Sequence, residues 1–483
     1  MQIERPPAPV ADPGRRRRSM VIAFIGLWLV YAFYAAGWIA APMGNSILDL
    51  TVRMADERTI TIDPYRGNTV EAATHDGRVY SGMPPGASVL ALPLYLVAKP
   101  ALSLVPERWN QKATDMTTGE IDVAPSPRRA EIMILALLFV LFMLAPAAAG
   151  TVLLFHAIAA RAWGDRVSRR SLLLGTVFFA FATTHFYYAA NVEHRSLSGL
   201  ALVGAFWLLL RETDEARASW RAPVAGLLLG TAVTITSDAA IIGLLVVAFC
   251  ARRLGRRLGW VALGAVPPLA LLAAYNVAAF GSPLASGYAF RADPTGAPPL
   301  FTHGMDLGWH PSRIARYLLG TRHGLFFYSP VLLLALVPLV RRGAPRLVRF
   351  GWLVVAVMLA FHYATGYDGL PGEFGFRLMT ATLPFAALGL AGGIEEIRPR
   401  WITYGLGAVS FLVVFRGVMW GLDARGFALL GPLQRWGLPT YILRQASDHL
   451  SSIGPAVLTL GHAAGLAVLA FVVRAIFRPH PKT

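Results

Sequence analysis

The chain is divided into apolar blocks of about 20 residues, separated by short loops that are rich in arginine. A helix of this length spans the hydrocarbon core of a bilayer, so the pattern predicts an all-α polytopic membrane protein. The composition agrees, because hydrophobic residues make up 55% of the chain and charged residues only 15%. These values exclude a disordered chain, a coiled coil and a secreted disulfide scaffold. The single cysteine, Cys250, cannot form an internal disulfide.

The basic residues carry a formal net charge of +17, with 44 Lys and Arg against 27 Asp and Glu. They cluster at the ends of apolar blocks, as the positive-inside rule requires of cytoplasmic loops, and they can also meet anionic membrane lipids. No basic stripe is interleaved with aromatic residues, so no nucleic-acid partner is expected. The clearest runs are Arg15–Arg18, Arg252-Arg253, Arg256-Arg257 and Arg341-Arg342.

These charges set a predicted topology. Residues 1–19 form a cytoplasmic tail, and residues 20–41 form an uncleaved first span. Residues 43–129 are the most polar part of the chain and form a large periplasmic loop. Within this loop, residues 86–105 are apolar but interrupted by Pro93, Lys99 and Pro100, which favours a helix lying at the membrane interface. A long apolar block then runs over residues 130–160.

The later apolar blocks alternate across the membrane, which gives about 12 spans, with both termini in the cytoplasm of a bacterial inner membrane. We expect a transmembrane catalytic module over residues 20–397. The C-terminal transmembrane helices follow over residues 398–483, with a periplasmic loop at 422–454. The later spans are predicted at 171–190, 194–210, 222–237, 239–253, 258–280, 326–341, 350–365, 378–397, 401–421 and 455–477.

Ionisable residues collect at the outer ends of the predicted spans, where burying them is costly unless they have a function. They lie in five segments, and we expect these segments to converge on one cavity. Ordinary structural roles remain open as well. The segment with Asp49 could be a helix start with solvated acids, and the segment with Asp76 could be a plain turn before a helix. Glu193–Arg195 and Glu373–Arg377 could be structural ion pairs. Asp238 is expected to be isolated and structural. The candidate residues are Asp49, Asp76, Arg78, Tyr80, Glu193, His194, Arg322, Tyr328, Asp368, Glu373 and Arg377.

Several catalytic motifs are missing from the sequence. It contains no Walker A loop, no Gly-x-Ser-x-Gly elbow, no His-Glu-x-x-His and no cysteine metal site. No nucleotide cofactor is therefore expected, and a donor would be reached from the outer side or from the membrane.

The layout resembles the GT-C glycosyltransferases. The resemblance is carried by a first span, an acidic outer loop containing Tyr80-Ser81-Gly82-Met83-Pro84-Pro85, and an interfacial helix. Three later segments are similar as well: Tyr275-Asn276 with Phe280–Pro283, His323–Pro330 and Glu373–Leu378. The group that is most similar includes the lipid A aminoarabinose transferases and the protein O-mannosyltransferases.

The resemblance implies transfer of a sugar from a polyprenyl-phosphate donor to a glycan, lipid or protein acceptor at the outer face of the inner membrane. It also implies a catalytic carboxylate in the first outer loop. The family acid after span 1 falls at 43–45 here, so Asp49, one turn later, is the predicted base. Glu193 and His194 would support it. A divalent metal ion is a candidate cofactor.

The remaining candidates divide into donor-phosphate and substrate-binding groups. Arg78, Arg322 and Arg377 are predicted to bind the phosphate, and the other five candidates are predicted to bind substrate: Asp76, Tyr80, Tyr328, Asp368 and Glu373. Two alternatives stay open. One is a transporter or flippase of lipid-linked precursors, and the other is a non-catalytic GT-C-like subunit.

Overall fold

The computed structural model describes residues 13–35, 42–69, 71–110, 128–214, 219–291, 308, 310–321, 323–341, 343–366, 374–420 and 467. Helices dominate this part of the chain, which confirms the predicted all-α polytopic class. The α-helices are Pro13–Phe33, Pro42–Asp56, Gly86–Leu102, Arg129–Phe139, Ala145–Trp163, Arg169–Phe181, Thr184–Ala189, Arg195–Glu212, Arg221–Ile235, Ala239–Leu254, Leu258–Phe280, Pro311–Leu319, Leu325–Tyr328, Leu333–Val340, Arg346–Ala364, Leu383–Ala386, Leu390–Glu396 and Arg400–Trp420.

Five helical segments in the described ranges are long and apolar enough to cross a bilayer: Arg129–Arg166, Ala239–Phe280, Arg346–Ala364, Arg377–Glu396 and Arg400–Val418. Three shorter helices are also apolar: Gly86–Leu102, Arg221–Ile235 and Pro330–Val340. The expected loop at 422–454 and last span at 455–477 fall outside the described residues, apart from residue 467. The count of about 12 spans therefore stays a prediction.

The segment Arg129–Arg166, called the long helix below, has 38 residues. It contains a π-helical turn at Val140–Leu144. At 1.5 Å per residue it is roughly 55 Å long, which exceeds the bilayer core of about 30 Å. Its two ends can therefore lie on opposite sides of a membrane.

The expected span 171–190 is broken into two helices, Arg169–Phe181 and Thr184–Ala189. Thr183 has an extended backbone between them, and its hydroxyl accepts a hydrogen bond from the His185 N–H while donating one to the Phe179 carbonyl. The Thr184 N–H donates to the Ser329 hydroxyl at 3.1 Å. Because these side chains satisfy the freed backbone groups, the break is tolerated inside the protein.

The helices Arg221–Ile235 and Leu258–Phe280 pack with their backbones in close approach. A Cβ atom on Gly226 would lie 1.9 Å from the Val261 carbonyl oxygen, and one on Gly264 would lie 1.9 Å from that of Pro223. Gly226 and Gly230 are four residues apart on one helix face, the small-xxx-small spacing typical of close helix pairs in membranes. Asp238 lies three residues beyond the end of the first of these helices.

The predicted loop 43–129 contains a β-hairpin and an apolar helix. The Asp76-Gly77 turn joins the antiparallel strands Ala72–His75 and Arg78–Ser81, with Ala73 opposite Tyr80. The helix Gly86–Leu102 begins directly after Pro84-Pro85, as predicted. Leu96 and Val97 on this helix are exposed, which is compatible with the predicted interfacial position.

Candidate functional site

Asp49 lies on the helix Pro42–Asp56 and is fully buried. Its neighbours Leu48 and Val52 belong to an apolar cluster that includes Tyr95 and Leu135, which holds the helix against the start of the long helix. Asn68 Nδ2 donates a hydrogen bond to Asp49 Oδ1 at 3.0 Å. The second carboxylate oxygen, Oδ2, has no hydrogen-bond partner among the described residues. This oxygen is therefore free to accept a proton from a bound hydroxyl.

The environment of Asp49 favours its protonated form. Burial raises the pKa of the Asp49 carboxyl well above its ordinary value, while the hydrogen bond from Asn68 and the charge of Arg129 act to lower the pKa. A carboxylate with a raised pKa is a stronger base than an ordinary one. Such shifts are typical of groups that transfer protons, although structural carboxyls show them as well.

Asn68 is held in place by the helix that carries Asp49. It ends the 3₁₀ helix Asp63–Asn68, and its carbonyl accepts a hydrogen bond from Asn45 Nδ2 at 2.8 Å. Asn45 and Asp49 are one turn apart, so they contact opposite ends of the same residue. Asn68 thereby fixes the orientation of the Asp49 carboxylate.

Arg129 supplies a positive charge to the same site. It is the first residue of the long helix and is 3% exposed. Its Nε and Nη1 atoms make no hydrogen bond within the described ranges. Buried guanidinium groups are normally paired, so free N–H groups beside a carboxylate with a free oxygen suit a bound anion.

Arg128 anchors this end of the long helix. Its guanidinium contacts Asp56 at 2.6 Å and Glu131 at 2.7 Å, and Lys99 contacts Asp56 at 2.8 Å. Burial alone would raise the pKa of Asp56, but hydrogen bonds from Lys99, Tyr95 and Arg128 outweigh it, so the pKa is lowered. These ion pairs tie three helices together around the Asp49 site.

A second buried group of charges lies at the ends of four other helices. Arg195 Nη1 donates to Asp238 Oδ2 at 2.7 Å. Glu193 lies between two arginines: its Oε1 is 3.9 Å from Arg195 Nε, and its Oε2 is 3.7 Å from Arg377 Nε. His362 Nε2 is 3.9 Å from Asp238 Oδ2. We call these five residues the Glu193 network. The prediction that Asp238 is isolated is wrong, because Arg195 reaches it from a helix 43 residues away in sequence.

Tyr288 lies between the Glu193 network and the large loop. Arg291 forms an ion pair with Glu71 at 2.5 Å, and its guanidinium lies over the Tyr288 ring at 5.8 Å. The Tyr288 hydroxyl donates to Met83 Sδ at 3.6 Å. Ser46, on the helix of Asp49, donates to the Glu71 carbonyl at 3.0 Å. These contacts connect Ser46, on the helix of Asp49, through Glu71 to Arg291 and the Tyr288 ring. Tyr288 is also close enough to Arg195 and Asp238 to interact with their charges.

Similar architecture is found in a solved enzyme structure. The crystal structure of ArnT from Cupriavidus metallidurans bound to undecaprenyl phosphate matches with a TM-score of 0.50 at 12% sequence identity, covering 96% of this chain and 77% of that chain. ArnT is a lipid A aminoarabinose transferase, a GT-C enzyme. The chain has a GT-C-like fold. The crystal structure of the same protein in the apo state gives a TM-score of 0.48 at 12% sequence identity. That match covers 97% of this chain and 77% of the ArnT chain.

No protein-family model matches the sequence, and a search of curated proteins finds no match. The structural likeness therefore carries the assignment of the GT-C-like fold, which the sequence motifs predicted. At 12% identity the likeness concerns the fold alone.

The GT-C-like fold brings some of the predicted site residues together. Glu193 and Arg377 belong to the Glu193 network, and His194 Nδ1 lies beside it, 3.4 Å from Glu193 Oε1. Asp49 occupies the neighbouring group of charges. Asp76 and Arg78 lie at the tip of the hairpin with exposed side chains, and neither contacts the two buried groups. Their predicted roles in binding stay predictions.

Both predicted tyrosines are buried in packing contacts. Tyr80 packs against Phe280 with ring centroids 5.5 Å apart. The Tyr328 hydroxyl donates to the Thr321 carbonyl at 2.6 Å, and its ring meets Phe374 at 4.6 Å. Arg322, Asp368 and Glu373 fall outside the described residues, and so does the expected Glu373–Arg377 pair.

Asn68 and Arg129 are two residues of the site that were not predicted from the sequence. A signal for Arg129 was present, because Arg128-Arg129 places two positive charges at the predicted outer end of a span, where the positive-inside rule disfavours them. No local signal marks Asn68, whose role depends on a contact with Asp49 across 19 residues.

A metal site is not evident in the described ranges. No group of three or more His, Cys, Asp or Glu residues there could hold a metal ion. The divalent metal ion therefore stays a prediction, and no step of the proposed reaction depends on one.

Proposed function

We propose that this protein is a membrane glycosyltransferase that moves a sugar from a polyprenyl-phosphate donor to an acceptor hydroxyl at the outer face of the inner membrane. The observation that carries the proposal is the buried Asp49 carboxylate, with one oxygen held by Asn68 and the other free. The GT-C-like fold supports it, since ArnT with that fold was crystallised with undecaprenyl phosphate.

Asp49 would act as the general base. Its Oδ2 accepts the proton of the acceptor hydroxyl while that oxygen attacks the anomeric carbon of the sugar. The bond between the anomeric carbon and the phosphate oxygen breaks, and its electron pair leaves with the lipid phosphate. Asn68 keeps the carboxylate oriented throughout this step.

Arg129 would stabilise the departing phosphate. A lipid phosphate gains negative charge as the sugar leaves, and a buried guanidinium with free N–H groups stabilises that charge at the site where it develops. Arg377, which lies near Glu193, would serve the phosphate or the acceptor from the neighbouring network. The acceptor class stays open among glycan, lipid and protein.

The transporter alternative has less support. A coupled transporter needs ionisable residues within its spans, and the Glu193 network lies at helix ends. Arg195 begins one helix, Asp238 precedes another, and Arg377 begins a third helical segment. The non-catalytic alternative predicts the same binding of lipid phosphate with no turnover.

The experiment is a structure of the protein with undecaprenyl phosphate in lipid nanodiscs. We expect the phosphate within hydrogen-bond distance of Arg129 and its tail in a groove open to lipid. A phosphate bound away from both Asp49 and the Glu193 network would contradict the proposal.

A further inference from the structure

A basic cavity of about 720 Å³ lies at the end of the long helix opposite Arg129. Its lining comes from the end of the long helix and from the start of the helix Arg346–Ala364. The arginine distribution predicts that this end faces the cytoplasm. About 50 Å of helix separates the cavity from Arg129, so it is distinct from the candidate active site.

Four arginines line this cavity: Arg161, Arg166, Arg346 and Arg349. One acid, Asp165, lines it as well, and Asp214 pairs with Arg161 through two contacts of 2.5 and 2.6 Å. An excess of two positive charges remains. Arg166, Arg346 and Arg349 make no ion pair with any described residue, so their charges are available to a ligand.

Two contacts hold parts of this lining in place. Trp163 Nε1 donates to the Leu388 carbonyl at 2.8 Å, which fixes the end of the long helix. The Arg346 guanidinium lies 4.8 Å from the centroid of the Phe249 ring.

The helix Arg346–Ala364 continues the cavity into an apolar surface. Arg346, Arg349, Leu353, Ala356 and Ala360 follow a spacing of three or four residues and are all exposed, so they form one stripe along the helix. The stripe is basic in the first turn and apolar below it. Leu353 is 51% exposed although large and apolar, as expected of a side chain that faces lipid tails.

We infer that this cavity binds the phosphate of an anionic phospholipid from the adjacent leaflet, with the acyl chains along the stripe below Arg349. The arginines supply charge-assisted hydrogen bonds to the phosphate, and basic pockets between transmembrane helices are known to recognise such headgroups. A free phosphate ion shares the headgroup chemistry but would gain nothing from the apolar part of the stripe.

The test is native mass spectrometry of the full-length protein from mixed micelles containing equal amounts of phosphatidylglycerol and phosphatidylcholine. We expect the wild type to retain phosphatidylglycerol preferentially. The double variant Arg166→Gln/Arg349→Gln should bind it roughly 30-fold more weakly, because each substitution removes charge-assisted hydrogen bonds to the bound phosphate. The variant Arg166→Lys/Arg349→Lys keeps the charge and should retain most of the binding.

The matched control is Arg252→Gln/Arg256→Gln, which removes two exposed arginines that do not line the cavity. It should reduce retention clearly less than the cavity double variant does, because these arginines make no hydrogen bond to a phosphate in the cavity and act only through general surface charge. Equal retention by the cavity double variant and the wild type would overturn the inference. Displacement of the lipid by inorganic phosphate alone, at similar affinity, would overturn the lipid assignment. Because the readout is lipid retention, the result is independent of sugar transfer.

Discussion

Asn68 donates its side-chain N–H to one oxygen of Asp49 and leaves the other oxygen without a partner. The bond orients the carboxylate and stabilises its charged form. This arrangement distinguishes Asp49 from a carboxyl that is buried solely for structure, in which both oxygens would be expected to be satisfied.

The substitution Asn68→Ala should shift the pH dependence of sugar transfer. Burial already raises the pKa of Asp49, and the Asn68 hydrogen bond opposes that rise. Without the bond the pKa rises further, so a base that must be deprotonated loses activity at a higher pH. We expect the acidic limb of the profile to move up by about one pH unit. Thr51→Val, on the same helix, is the control. It removes a buried hydroxyl that donates to the Ile47 and Ser88 carbonyls and makes no hydrogen bond to Asp49, so the pH profile should not move. An unchanged profile in Asn68→Ala would argue against Asp49 as the titrating base.

Replacement of Arg129 should weaken donor binding. Arg129→Gln removes a buried charge beside Asp49, and we expect roughly 10- to 100-fold weaker binding of undecaprenyl phosphate. Arg78→Gln is the control, because Arg78 is exposed on the hairpin and should have little effect. Binding measured by fluorescence quenching would separate the two variants. A larger loss in Arg78→Gln than in Arg129→Gln would show that the phosphate binds at the hairpin instead.

The buried pair Arg195–Asp238 should be important for stability. Arg195→Gln leaves Asp238 buried without its closest cation, and we expect a loss of about 3–5 kcal/mol in the free energy of unfolding. The more exposed pair Arg161–Asp214 provides the comparison, since Arg161→Gln should cost about 0–1 kcal/mol. Unfolding by denaturing detergent would measure both values, and equal losses would show that burial does not decide the effect.

Glycine packing gives a further stability prediction. Gly226→Leu places a side chain where even a Cβ would overlap the Val261 carbonyl, so it should destabilise the protein by about 1–3 kcal/mol. Gly259→Ala is a suitable control, because a Cβ there meets nothing within 4 Å. If both variants unfold at the same detergent concentration, the helices Arg221–Ile235 and Leu258–Phe280 do not pack as closely at Gly226 as described.

Local signals made part of the fold predictable. The helix that begins at Gly86, after Pro84-Pro85, was predicted, and Asp76-Gly77 is a residue pair typical of the turn that it forms, because both features depend on backbone preferences of adjacent residues. Contacts over long sequence distances were not predictable in this way. The partner of Asp238 is Arg195, on another helix. The break at Thr183 was also missed, since one group that stabilises it, the Ser329 hydroxyl, comes from a segment 145 residues away in sequence.

In the site too, the identity of some residues was predictable from the sequence, whereas their burial and contacts were not. Asp49 was identified from its position after span 1, but its complete burial follows from packing of its helix against the long helix. Glu193 and Arg377 were identified as helix-end charges, while their proximity of 3.7 Å depends on how the helices assemble. Arg78 was assigned to phosphate from its charge alone, and the structure places it on the surface, away from both buried groups.

The most direct measurement is sugar transfer by Asp49→Asn, made in the same liposome preparation as undecaprenyl phosphate binding. The amide keeps the shape of the side chain and removes the base. We predict that the wild type transfers sugar from a polyprenyl-phosphate donor, whereas Asp49→Asn binds the lipid phosphate within about threefold of wild type and transfers at least about 100-fold more slowly. Full transfer by Asp49→Asn would contradict the account and make Glu193 the next candidate base, and binding by the wild type without any transfer would indicate a non-catalytic subunit.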